Sequence, residues 1–173
     1  LSAIVTEQKL LLLYFMDRCG TPLSSDQLTR HMLEQHWADY FQLQQMLLEL
    51  GEARLVTRAE AFPRLYHLTD AGKETLALFN TQVPRYLKNQ VNAFVRAHGQ
   101  ELAHETQVHA EYERIGSDEV MVTLENYEAE KLLFGLRVSV VSSEQAKLLC
   151  ARFKQRSDEV YASVMQVLTR GED

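Results

Sequence analysis

Six histidines and two cysteines are the side chains here best suited to hold a transition metal or act as nucleophiles. Their spacing fits neither task. His31 and His36 lie five apart across a predicted helix end, and His104 and His109 straddle a predicted helix-to-strand change. Helical ligand pairs stand four apart so that both rings share a face, and no cysteine lies near either pair. Cys19 and Cys150 are isolated, which excludes a cysteine zinc cluster and gives no disulfide framework. Glu111, Glu113, Glu125 and Glu128 invite an acid/base reading. The first three fall on the polar face of a predicted sheet, with Thr123 and Arg137 as plausible cross-strand neighbours, so a solvated face is favoured. No nucleophile elbow, phosphate loop or nucleotide fingerprint occurs. The sequence therefore predicts no enzyme, no catalytic residue, no metal site and no cofactor.

A second set of residues suits recognition rather than catalysis. In the stretch "DYFQLQQMLLELGE", Tyr40, Gln42, Gln44 and Gln45 fall outside the apolar stripe. Glutamine can bond adenine N6 and N7 together, and tyrosine can bond a phosphate. Arg58 and Arg64 flank a short predicted hairpin, and Arg30, Arg54 and Lys73 add cations nearby. Arginine suits backbone phosphates or a narrow minor groove. Scattered surface charges are the plain alternative. Net charge is −6, split evenly: residues 1–83 hold seven Lys/Arg against ten Asp/Glu, and residues 84–173 hold eleven against fourteen. Neither half is a basic polyelectrolyte, so strong non-specific nucleic-acid binding is not expected.

The elements that would position these residues follow from periodicity and caps. Residues 6–18 read as a helix apolar nearly all round, hence buried. "CGTPLS" breaks it. Ser24 with Gln27, and Asp39 with Gln42, are capping-box pairs that open a second and a third helix. Leu43, Met46, Leu47 and Leu50 form the third helix's inner stripe. Two short strands, 55–58 and 65–68, are joined by a loop containing Pro63. Thr69 closes the second strand and caps the next helix. Gly72 then sits in that helix's first turn, where its missing side chain lets the helix start lie against a neighbouring element. Pro84 opens a long helix to about Glu105. Phe79, Tyr86 and Phe94 read as core or dimer seam, with a small-molecule pocket as the less favoured use.

Alternation then marks three strands, within "VHAEYERI", "VMVTLENY" and "GLRVSVV". Val108, Ala110, Tyr112, Val120, Val122, Leu124, Leu136, Val138 and Val140 share one face. Ser142 and Gln145 begin a last helix carrying Ala146, Leu149, Phe153, Val160, Val164 and Leu168. The apolar run "LLLLYFM" is too short to span a bilayer and lacks signal-peptide flanks, so a soluble cytoplasmic protein is expected.

"LLLELGEARLV" followed by "YHLTDAGKE" resembles the core of winged-helix bacterial transcription regulators of the MarR and PadR types. The carrying residues are Leu47, Leu50, Leu55, Val56, Tyr66, Leu68, Thr69 and Gly72. More narrowly, with the tail "SEQAKLLCARFKQRSDEVY", the chain resembles a bacterial winged-helix family of unknown function. Where those regulators often carry glycine before the wing, this chain has Arg54. The resemblance implies an α+β chain: a winged helix-turn-helix over 1–83, a linking and dimerisation helix over 84–107, and a three-stranded antiparallel sheet with a covering helix over 108–173. It implies a homodimer bound to double-stranded DNA through Arg30, Tyr40, Gln42, Gln44, Gln45, Arg54, Arg58, Arg64 and Lys73, with room for a small-molecule effector. A protein-interaction module that has lost DNA binding is the alternative.

Overall fold

The first helix, α1 (Glu7–Cys19), buries Leu10 to Leu13, Phe15 and Met16, so only a few of its positions meet water. Each fully buried leucine contributes about 2 kcal/mol of transfer free energy. This is a computed structural model, and it describes residues 6–60 and 63–171. Ala61 and Phe62, within the loop expected around Pro63, lie outside the described residues. Gly20 ends α1 at φ 65°, a left-handed cap that glycine adopts without a Cβ penalty. The expected helices follow. In α2 (Ser25–Glu34) Ser24 Oγ accepts the Gln27 N–H at 3.1 Å while Gln27 Oε1 accepts the Ser24 N–H at 3.0 Å. In α3 (Tyr40–Glu52) Asp39 and Gln42 make the same reciprocal pair at 2.9 and 3.0 Å. Each box satisfies two otherwise orphaned amides.

A hairpin of β1 (Val56–Arg58) and β2 (Tyr66–Leu68) comes next, then α4 (Asp70–Phe79), a 3₁₀ turn (Asn80–Gln82) and α5 (Arg85–Gln107). Leu23 joins the hairpin by exchanging two backbone bonds with Tyr66, at 3.2 and 2.8 Å. Thr69 does what its position predicts: Oγ1 accepts the Gly72 N–H at 3.0 Å. The same hydroxyl lies 2.8 Å from Arg54 O and 3.0 Å from Leu55 O, so it donates back into the chain before β1. A Cβ on Gly72 would fall inside the van der Waals envelope of Leu55 O and 2.7 Å from Leu68 Cδ1.

The chain divides into two compact units, Leu1–Thr106 and Gln107–Asp173. The first has one core, in which Phe15 packs edge-on against Trp37 at 5.4 Å and Phe94 at 5.8 Å. Phe94, Val91 and Leu102 place the long helix α5 inside this core. Gln27 secures α2 to α5 by donating to Leu102 O at 2.9 Å.

His31 lies against the Phe94 ring, 4.9 Å between centroids, and burial together with the neighbouring Arg30 lowers its pKa. The Glu34 carboxylate, 3.4 Å away, pulls the other way but less. The folded state therefore protonates after the unfolded one, whose histidine titrates near about 6.5. Stability is intact above that pH and is lost as pH falls through the folded value. The melting temperature should drop between pH 7.5 and 5.5, and His31→Gln should remove part of that drop; parallel melting curves for both proteins check it.

The second unit is a three-stranded antiparallel sheet in the order β3 (Val108–Arg114), β4 (Val120–Glu128), β5 (Lys131–Val140), with α6 (Ser143–Thr169) against one face. The chain is thus α+β, with six α-helices among the described residues. Ser142 caps α6, accepting the Gln145 N–H at 3.2 Å. Val108, Val120, Val122, Leu124 and Val140 are buried against Ala146, Cys150 and Phe153, as the alternation predicts. Glu111, Thr123 and Arg137 occupy one cross-strand row, also as expected. Three expected core residues are exposed, Tyr112, Leu136 and Leu168, and Ala110, Val138, Leu149, Val160 and Val164 are half-buried. For Leu136 the reason is that α6 packs chiefly over β3 and β4 and least over β5. Leu168 sits in the last turn of α6, and Val167 and Thr169 beside it are exposed as well.

β5 begins at Lys131, four residues before the stretch expected from alternation. The turn into it is Ala129–Glu130, and both residues have positive φ, 46° and 66°. That is a type I′ hairpin built without the Asn-Gly it favours. Non-glycine residues lose about 1–2 kcal/mol each in the left-handed region. Ala129→Asn with Glu130→Gly should stabilise the second unit by about 1–2 kcal/mol, read as a shift of its urea unfolding midpoint.

Candidate nucleic-acid interface

The outward side of α3 carries Tyr40, Phe41, Gln42, Gln45 and Leu48, all exposed, with Gln44 half-buried. The inner stripe Leu43, Met46, Leu47 and Leu50 is buried, so the helix has the orientation its periodicity predicts. An open groove of about 370 Å³ runs between α3 and the hairpin. Gln44, Leu48 and Glu52 line one side; Thr57, Arg58 and Tyr66 line the other. The groove thus joins two of the nine residues singled out from sequence, Gln44 and Arg58.

The remaining seven are placed in different ways. Gln42 spends its carbonyl on the Asp39 amide as part of the helix cap. Gln45 donates to Glu49 Oε1 at 2.8 Å. Tyr40 is free of such ties and packs edge-on against Phe41 at 5.7 Å. Arg30 is bound to Glu105 at 2.6 Å, with Asp26 at 3.9 Å, so much of its charge is met within the unit. Lys73 pairs loosely with Asp70 at 3.8 Å and lines a separate groove with Asp17, Thr21 and His67. Arg54 and Arg64 are exposed and both have positive φ, 58° and 52°. Arg58 lies over the Tyr66 ring at 5.4 Å and reaches Arg64 O at 3.5 Å, which ties the guanidinium to its own hairpin.

Two features of this face escaped the sequence reading. Phe41 is 82% exposed and Leu48 63% exposed, two turns apart on α3. Their signal was present: both are apolar and both lie off the inner stripe. The second feature is Lys9. It is buried on α1 and forms an ion pair with Glu49 of α3, whose carboxyl is held below the usual range by that lysine and then by Gln45. This pairing neutralises one carboxylate of α3.

Burial pushes the Cys19 thiol up to about 12 and raises Cys150 as well, so neither is a thiolate at neutral pH. Among the described residues no three His, Cys, Asp or Glu side chains gather as a metal set. No helix among them is long and apolar enough to cross a membrane.

A family model described as a domain of unknown function, DUF4364, matches residues 8–168. The chain belongs to the DUF4364 family. The match takes in both compact units, so the family is defined by the pair rather than by the groove-bearing unit alone. No curated protein and no solved structure matches the chain.

Proposed function

We propose that this DUF4364 chain is a DNA-binding transcription regulator that acts as a homodimer. In this reading the first unit is a winged helix. α3 enters the major groove, and the β1–β2 hairpin is the wing that meets flanking phosphates. The observation that carries the proposal is the single groove bordered by Gln44 on α3 and Arg58 on the hairpin. A base-reading amide and a phosphate-binding guanidinium are thereby held side by side by packed secondary structure. The order helix, helix, helix, hairpin, helix supports it. The acidic balance implies weak binding to random DNA and reliance on specific contacts.

Fluorescence anisotropy against genomic fragments at low salt tests the reading. A fragment bound well above random DNA is expected, and Gln44→Ala should weaken it about tenfold while leaving random-DNA binding unchanged. No preference for any fragment would defeat the proposal.

A second reading has its own observation. The exposed Phe41 and Leu48, on a helix with no Lys or Arg, suit a protein partner better than a phosphate backbone. Under that reading Phe41→Ser would abolish capture of a partner protein, and DNA retention would be absent.

A further inference from the structure

The β-sheet of the second unit has two edges, and they differ. The β3 edge carries His109, Glu111, Glu113 and Arg114 within seven residues, charges of the kind that discourage edge pairing. The β5 edge is barer. An irregularity in its pairing with β4 sets its first residues apart, after which Phe134 to Val140 pair in unbroken register with β4 and contain one charge, Arg137. On the α6 side of this strand, Leu136 is 37% exposed and borders an open apolar groove of about 400 Å³ with Leu124, Phe153, Val160 and Val164. Among the described residues no strand of the unit pairs with the outer side of β5, and the apolar flank beside it is open.

We propose that a second copy of this chain covers them, through antiparallel β5–β5 pairing across a two-fold axis. Charge selects the register. Centring the pair on Arg137 would set two arginines face to face. Centring it on Leu136 sets each Arg137 opposite the other copy's Gly135, beside the exposed Leu132 side chain, whose Cδ2 lies 3.7 Å from where a Gly135 Cβ would stand. Glu125 is the neighbour of Gly135 on β4, and its Cγ lies 3.8 Å from where a Gly135 Cβ would stand. One oxygen of its carboxylate accepts the Tyr127 hydroxyl at 2.9 Å. Arg137 is exposed, and no ion-pair partner faces it among the described residues. In the dimer each Arg137 crosses the other copy's Gly135 to reach Glu125, giving two symmetric ion pairs on the polar face. On the opposite face the two Leu136 side chains meet and close the two apolar grooves. The result is one six-stranded sheet. A two-fold operation makes the contact self-complementary and closed, so it stops at two copies. The proposal stands on the second unit alone and holds or fails independently of DNA binding.

Sedimentation velocity of the 173-residue chain across 1–100 µM is the test, with circular dichroism to confirm folding. A dimer is expected. Arg137→Glu should raise its dissociation constant at least about tenfold, because it sets a carboxylate from one copy against Glu125 of the other. The charge swap Arg137→Glu with Glu125→Arg should restore association. A monomer throughout the range overturns the proposal. So does a dimer indifferent to Arg137→Glu, a folded double variant that stays dissociated, or a concentration-dependent series of larger species, which would mean open-ended pairing of unlike edges.

Discussion

Gly72→Ala should destabilise the first unit by about 3 kcal/mol, although alanine is the better helix former. Propensity alone favours the substitution by about 1 kcal/mol. Against it stands the carbonyl of Leu55, which a new methyl would overlap, and Leu68 Cδ1 at 2.7 Å. A side chain can rotate away from such a contact; this carbonyl cannot. It accepts the Thr69 N–H at 3.1 Å and lies 3.0 Å from Thr69 Oγ1, so moving it breaks the bonds that join the end of α3 to the start of α4. Clash and bond loss together exceed the propensity gain. Gly72→Val should leave the unit unfolded at room temperature. Urea denaturation with tryptophan fluorescence reads both variants, since Trp37 lies in that unit's core. A stabilised Gly72→Ala protein would show that the helix start can slide outward and that the close approach is dispensable.

Replacing Arg54 and Arg64 together by glycine should move stability and DNA affinity in opposite directions. Both residues occupy the left-handed region, where a non-glycine side chain costs about 1–2 kcal/mol. Part of that strain is recovered on substitution and part is offset by the greater freedom of glycine in the unfolded chain. The net gain should be about 1 kcal/mol in the urea unfolding free energy. Backbone strain held at exposed arginines calls for a reason, and a phosphate contact supplies one. On the proposed reading a dimer loses four cations. Affinity for the preferred fragment should then fall on the order of 100-fold at about 0.1 M salt, and the slope of log K against log salt should shrink by about 3–4. A more stable protein with unchanged affinity would remove both arginines from the interface.

Local signals were legible and distant ones were not. Ser24 with Gln27, Asp39 with Gln42, and Thr69 ahead of Gly72 are decided within four residues, and each forms as its spacing predicts. The β4–β5 turn was missed because Ala129 and Glu130 carry none of the chemistry that marks a type I′ corner. The tie between Arg30 and Glu105 joins residues 75 apart, and Lys9 meets Glu49 across two helices. No window of sequence contains such pairs, so Arg30 reads as available when it is spoken for, and Lys9 gives no sign of its role. Of the nine recognition residues, those whose partners lie far away or inside their own helix were the least legible.

The Lys9–Glu49 pair also limits how this protein can evolve. A lineage selected for tighter grip on a polyanion would gain by adding positive charge along α3. Position 49 is closed to that route, because a lysine there would confront Lys9 inside a packed contact and cost the fold. Positions 41 and 48 point outward and carry no such obligation. Basic residues should therefore accumulate at those two sites among descendants that bind more tightly, while glutamate persists at 49 wherever lysine persists at 9.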